Sequence, residues 1–203
     1  MRVGVLASGE GTNLQALLDA VHGREADVVV VASDQPGAPA LRRAVEAGVR
    51  TACFPRDEHP SRAARDGALA DWLDAERVEL CVLAGYMALL DADFVRRFAG
   101  RLVNVHPSLL PAFPGLRAIE QALDYGVKVF GVTVHLVDEG IDTGPILAQR
   151  AVELPSARLP AEVRATLRPL EHALLCDVVR RFARGEVRPD AGHPRRWLVG
   201  PAG

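Results

Sequence analysis

Residues 2–21 read RVGVLASGEGTNLQALLDAV, and this stretch decides the class of the fold. Residues 2–7 are an apolar run of strand length. The run breaks at Ser8-Gly9-Glu10-Gly11-Thr12-Asn13. Leu14, Leu17, Leu18 and Val21 then follow at i, i+3, i+4 and i+7, the stripe of an amphipathic helix. A strand that turns through glycines straight into a helix is the opening of an α/β chain.

The rest of the chain repeats that alternation. DVVVVAS at 27–33 is apolar without a break, as strands buried on both faces of a parallel sheet are. A helix over 38–47 is closed by Gly48, and a short strand lies at 50–54. Residues 61–76 form a helix packing through Leu69, Trp72 and Leu73. A strand at 80–84, a short helix near 91–98, a strand at 102–106 and a helix over 116–125 follow in turn. VKVFGVTVHLV at 127–137 and ILAQRAVE at 146–153 are two further strands, and 160–184 is a long helix. This order predicts a single-domain α/β fold: a mostly parallel twisted sheet of about seven strands with helices on both faces. The short link before 146–153 makes that last strand antiparallel to its predecessor. The expected halves are 1–100 and 101–185, with a tail, 186–203, that offers no more than a short hairpin around Trp197.

In such sheets ligands bind beyond the carboxyl ends of the strands, where polar and glycine-rich segments gather in this chain. The 9–13 loop has the strand, glycine turn and helix of an anion site, since free backbone N–H groups open the helix. It is not a Walker A loop, because no Gly-Lys-Ser/Thr follows. It also lacks the third glycine of the dinucleotide fingerprint, where Leu14 stands. Gly11, Thr12 and Asn13 suit a monophosphate better than a pyrophosphate, and an ordinary helix cap in a tight turn remains the alternative. Glu10 fits an anion site only if its carboxylate points away. Gly85-Tyr86-Met87 ends another strand.

Residues 102–115, LVNVHPSLLPAFPG, bring Asn104 and His106 to one face of a strand end. Pro107 keeps His106 extended, and Pro111 and Pro114 stiffen the loop beyond it. Taken alone, the pair is as compatible with an incidental strand end as with a site. His135 ends a neighbouring strand, and Asp142 lies in the loop after it, DEGIDTGP at 138–145. A carboxylate beside an imidazole favours the charged ring, and Asn104 adds a neutral donor. That set suits an oxyanion on a carbonyl carbon under attack. No serine or cysteine has an obvious activating partner, so direct attack by an external amine fits better than a covalent intermediate. The acidic loop lacks the alternating oxygen ligands of an EF-hand, so no metal is expected. On the C-terminal helix, Glu171 falls within the apolar stripe of Val163, Leu167, Leu170, Leu174, Val178 and Phe182. It is either a ligand contact or half of a buried ion pair.

Composition narrows the partners. A formal charge of −2 and a pI near 6.3 give no case for nucleic acid or an anionic membrane. No apolar run approaches the roughly 20 residues that span a bilayer. The N-terminus reads as a first strand and not a signal peptide. Cys53, Cys81 and Cys176 are odd in number and lack CxxC spacing, which suits reduced, buried cysteines in the cytoplasm.

ASGEGTNLQAL at 7–17, VLAGYM at 82–87, NVHPSLLPAFPG at 104–115 and GVTVHLVDEGIDTGP at 131–145 together resemble the phosphoribosylglycinamide formyltransferases (glycinamide ribonucleotide transformylases). The resemblance runs from residue 2 to about 185. It implies a Rossmann-like formyltransferase fold and transfer of the formyl group of 10-formyltetrahydrofolate, a cosubstrate, to the amine of phosphoribosylglycinamide in purine biosynthesis. It makes Asn104, His106 and Asp142 the catalytic trio, supported by His135. It assigns Gly11, Thr12 and Asn13 to the substrate phosphate, and Glu171 to the ribose or glycinamide end. Arg62, Met87, Leu90, Asn104, Asp138, Glu139, Gly140 and Ile141 would border the folate. The implied partners are these small molecules, with no nucleic acid and no membrane, in a cytoplasmic monomer or homodimer. Cys176-Asp177 and Pro169 depart from the family pattern, and residues 155–168 match poorly.

Methionyl-tRNA formyltransferase shares the Asn-His-Asp set but calls for a further RNA-binding domain and a basic surface. Formyltetrahydrofolate hydrolase calls for an N-terminal regulatory domain. A non-catalytic nucleotide- or folate-binding module would not need the trio, and a nicotinamide-dependent dehydrogenase would need the full glycine fingerprint.

Overall fold

A computed structural model describes residues 1–193 and 195–200; the end of the tail, 201–203, lies outside the described residues. The chain divides into two compact units, Met1–Asn104 and Val105–Gly203.

The first unit holds β1 (Arg2–Leu6), α1 (Thr12–Ala20), β2 (Asp27–Ser33), α2 (Pro39–Glu46), β3 (Arg50–Cys53), α3 (Arg62–Ala75), β4 (Leu80–Leu83), α4 (Ala92–Arg97) and most of β5 (Leu102–His106). Its strands lie in the order β3-β2-β1-β4-β5, and each pairs with its neighbour in parallel. Val3, Val5, Leu6, Val30, Val31, Cys81 and Val82 are fully buried, as the unbroken apolar runs require when both sheet faces are covered. Leu69 and Leu73 turn the predicted face of α3 inward, while Trp72 is only half-buried. A Cβ at Gly4 would meet Leu73 and Val78 side chains at 3.0–3.1 Å, so a larger residue there would push α3 and the chain beyond it off β1.

Gly11 makes the turn from β1 into α1. It is the N-cap of α1 at φ 72°, in the left-handed region, and a Cβ there would lie 2.8 Å from the Ala40 backbone. A Gly11→Ala variant should therefore lose about 1–3 kcal/mol from backbone strain and overpacking. Urea unfolding checks this through the midpoint, with the slope unchanged.

The second unit takes up the end of β5 and holds α5 (Ala118–Tyr125), β6 (Val129–Leu136), β7 (Ile146–Glu153), α6 (Pro160–Ala183), β8 (Val187–Pro189) and β9 (Trp197–Val199). Strand order runs on as β5-β6-β7, which gives the seven-stranded sheet expected, and β7 is antiparallel to β6. α5 begins two residues later than the apolar pattern suggests, because Arg117 sits at φ 60° and cannot be its first turn. α6 runs through Pro169 as one helix and packs against β6, β7 and α5. Val163, Leu167, Leu174 and Val178 are buried, whereas Leu170 and Phe182 are half-buried. β8 and β9 form an antiparallel pair, the hairpin expected around Trp197. Cys81 and Cys176 are buried, and all three cysteines are free thiols. Among the described residues no helix is long and apolar enough to cross a membrane.

Candidate active site

In the second unit, β5 ends on His106, whereas β6 runs one residue past His135 and ends on Leu136. His106 and His135 are 5 % and 1 % exposed, and Asp142 stands between the two rings. Its Oδ2 lies 3.3 Å from His106 Nδ1 and its Oδ1 lies 3.5 Å from His135 Nε2. The Gly115 backbone N–H donates to Oδ2 at 2.7 Å. The far nitrogen of each ring meets a carbonyl: His106 Nε2 is 2.9 Å from Phe113 O, and His135 Nδ1 is 2.8 Å from Leu136 O. Each ring is thus flanked by two acceptors, and a ring carrying a proton on both nitrogens satisfies both. Burial alone would raise the Asp142 carboxyl. The hydrogen bonds from His135 and Gly115, with the charges of His106 and His135, outweigh it and hold the carboxyl at about 2.

Loop geometry holds Asp142 in place. The Asp142 backbone adopts φ 53°, a left-handed conformation that aspartate tolerates better than most residues. Asp138 Oδ1 accepts from Gly140 N–H at 3.1 Å and from the Thr143 hydroxyl at 2.6 Å, closing the turn before it. At Gly144 a Cβ would lie 1.8 Å from Leu136 O, so only glycine lets the loop return to β7. Glu139 and Ile141 are exposed at its tip. From the tail, Arg195 donates to the Thr143 carbonyl, one residue beyond Asp142.

Ser108 is no nucleophile here, because its hydroxyl donates to Ala112 O at 2.6 Å. Buried Thr133 donates to Ser108 O at 2.7 Å and accepts from Leu110 N–H at 3.1 Å and from Gln149 Nε2 at 2.9 Å. Thr133 and Gln149 therefore fix the loop that leaves His106. Glu171 is half-buried on α6.

The first unit carries the other candidate groups. Gly11 caps α1, Thr12 opens it, and Asn13 is buried. Arg43 Nε donates to the Glu10 carbonyl at 2.8 Å and its Nη1 to Gln15 at 3.1 Å, which braces the loop while the Glu10 side chain stays exposed. Arg62 is exposed at the start of α3, Met87 is exposed and Leu90 half-buried beyond β4. Asn104, half-buried, pairs with Leu83 in register on β4, two residues before His106 on the same strand. No group of three or more His, Cys, Asp or Glu able to hold a metal ion occurs among the described residues.

The sequence profile of the family described as Formyl transferase matches residues 1–179. The chain belongs to the formyl transferase family. Phosphoribosylglycinamide formyltransferase of Bacillus subtilis is 37% identical over 180 residues, 88% of this chain and 92% of that one. The trifunctional purine biosynthetic protein adenosine-3 of Drosophila melanogaster is 51% identical over 157 residues, which is 75% of this chain but only 12% of that protein. Glycinamide ribonucleotide transformylase 1 from Symbiobacterium toebii superposes with a TM-score of 0.93 at 44% identity, over 99% of this chain and 94% of that one.

Within this formyl transferase, the geometry joins His106, His135 and Asp142 into one cluster, as their placement at strand ends and in the following loop suggests. Other residues escaped the sequence reading. The Gly115 N–H and the Phe113 carbonyl are backbone groups that no side-chain pattern reveals. Arg65 and Asp66 were legible: with Leu69 and Leu73 they share the inward stripe of α3, the same argument that singled out Glu171.

Proposed function

We propose that this formyl transferase moves the formyl group of 10-formyltetrahydrofolate to the amine of 5'-phosphoribosylglycinamide in purine biosynthesis. The Asp142 carboxylate clasped between His106 and His135 carries this reading, because it orients the His106 ring at a strand end. The amine nitrogen attacks the formyl carbon, and negative charge moves to the formyl oxygen. Asn104 donates a hydrogen bond to that oxygen, and the His106 Nε2–H turns from the Phe113 carbonyl to donate to it, while Asp142, itself held by His135, keeps the ring at Nδ1. The bond from carbon to the folate nitrogen then breaks. The amine's proton leaves with assistance from Asp142, and the folate nitrogen takes up a proton, giving tetrahydrofolate and formylated product. Gly11, Thr12 and Asn13 hold the substrate phosphate and Glu171 its ribose or glycinamide end. Arg62, Met87, Leu90, Asn104, Asp138, Glu139, Gly140 and Ile141 border the folate. No metal takes part. The protein acts on these small molecules in the cytoplasm, as a monomer or homodimer.

Spectrophotometric release of tetrahydrofolate tests this. Release is expected to need both 10-formyltetrahydrofolate and phosphoribosylglycinamide. Equal release without the amine substrate would make the protein a hydrolase, and none with both present would refute the assignment.

A further inference from the structure

The segment between β4 and α4, residues 85–91, joins a fixed backbone to exposed apolar side chains. Met87 is 64% exposed and Leu89 62%, while Tyr86 between the anchors is buried. Its backbone is held at four points within the first unit. Gly85 O accepts from Ser8 N–H at 3.1 Å, and Met87 N–H donates to Ser8 Oγ at 2.8 Å, whose own proton goes to the buried Asp34. Leu89 O accepts from Arg65 Nη2 at 2.9 Å, and Asp91 N–H donates to Asp66 Oδ2 at 2.6 Å.

Arg65 and Asp66 are 4% and 0% exposed, and their side chains pair at 2.7 Å. Burial pushes the Asp66 carboxyl up even though Arg65 and the Asp91 N–H pull it down. A buried ion pair is weak support for stability in itself, since apolar residues of similar volume often do as well. Here each partner also hydrogen-bonds the loop backbone, Arg65 at Leu89 and Asp66 at Asp91. A backbone so fixed is already ordered before a ligand arrives.

We propose that the Arg65–Asp66 pair is a positioning device that presets the 85–91 loop for the folate cosubstrate and sets its affinity without entering the chemistry. This rests on the function proposed above, in which Met87 and Leu90 border the folate. The loop's apolar face then meets the ligand without first losing chain entropy, and freeing it returns that cost to binding.

The test is the double variant Arg65→Met/Asp66→Leu, which removes both charges while keeping side-chain volume, alongside Asp66→Asn. Amide exchange of Met87 and Asp91, steady-state kinetics and calorimetric titration with tetrahydrofolate are measured on each, with thermal melts to confirm folding. The Asp91 amide is expected to exchange faster. The KM for 10-formyltetrahydrofolate and the Kd for tetrahydrofolate should rise about 10–100-fold, the scale on which loss of preorganisation acts. Both kcat and the KM for phosphoribosylglycinamide should stay within about twofold, a split that general loss of structure would not give. A folded double variant that binds tetrahydrofolate as tightly as the parent would overturn the proposal. A parent protein that binds no tetrahydrofolate would overturn the functional reading and this inference with it.

Discussion

A His106→Ala variant is expected to lose about 10²–10⁴ in kcat, the usual worth of a positioned acid–base group or oxyanion donor. The folded state should survive the change. Without the His106 ring, Asp142 still accepts from the Gly115 N–H and faces His135 Nε2, so its carboxylate is not stranded. The Phe113 carbonyl loses its 2.9 Å partner, and a hydrogen bond of that kind is worth about 0.5–1.5 kcal/mol. Loss of packing around the buried ring adds to this, within the range of about 0.5–3 kcal/mol usual for a point mutation. The check is kcat and KM beside a thermal melt. Substrate KM values near the parent's, with kcat collapsed, mark a group that acts in the transition state. Parent-level kcat would remove His106 from the mechanism.

Asp142→Asn should cost a similar factor in kcat by another route. Asparagine tolerates the left-handed backbone at φ 53°, so the loop keeps its course. The amide, however, has one acceptor atom where the carboxylate has two, and it presents N–H where a ring N–H already points. The clasp that holds both rings at Asp142 is then broken. The same substitution makes a pH-dependent prediction. The Asp142 carboxyl is lowered from 3.8 to about 2, against the opposing effect of burial. Its folded value lies below its unfolded one, so the stabilisation is fully present above about pH 4 and fades as pH falls toward 2. The amount is on the order of 2 kcal/mol. Urea unfolding of parent and variant should therefore differ most above pH 4 and converge in acid. A gap that stayed constant down to pH 2 would mean that the carboxylate carries no special stabilisation.

The apolar pattern made most of the fold legible. Unbroken runs such as Val28–Val31 and Leu80–Leu83 place their strands within a residue or two, because burial on both sheet faces leaves no room for polar residues. Where a boundary moved, a backbone conformation was the reason: the left-handed Arg117 delays α5 although Leu116 fits the helical stripe. Leu116 is in fact exposed.

At the candidate site, side chains at strand ends could be read because strand alternation dictates their direction. His106 and His135 are the instances. Asp142 could be read from the loop that carries it, but not its bond to the Gly115 N–H, since that contact spans 27 residues and is made by main chain. Thr133 illustrates a partial reading. Its shared face with His135 is evident from spacing, yet its role in fixing Ser108 and Leu110 depends on Gln149 from the facing strand. Glu171 remains half-buried on α6, with its ligand role part of the proposal.

The destination of the formyl group separates transfer to the amine from hydrolysis. The parent protein is given 10-formyltetrahydrofolate labelled in the formyl carbon together with phosphoribosylglycinamide, and products are resolved by mass spectrometry. The expected result is one labelled formyl group on the glycinamide amine for each tetrahydrofolate released, with both products falling together in the Asp142→Asn variant. Label recovered as formate while the amine stays unmodified would rule out formyl transfer and make the protein a hydrolase.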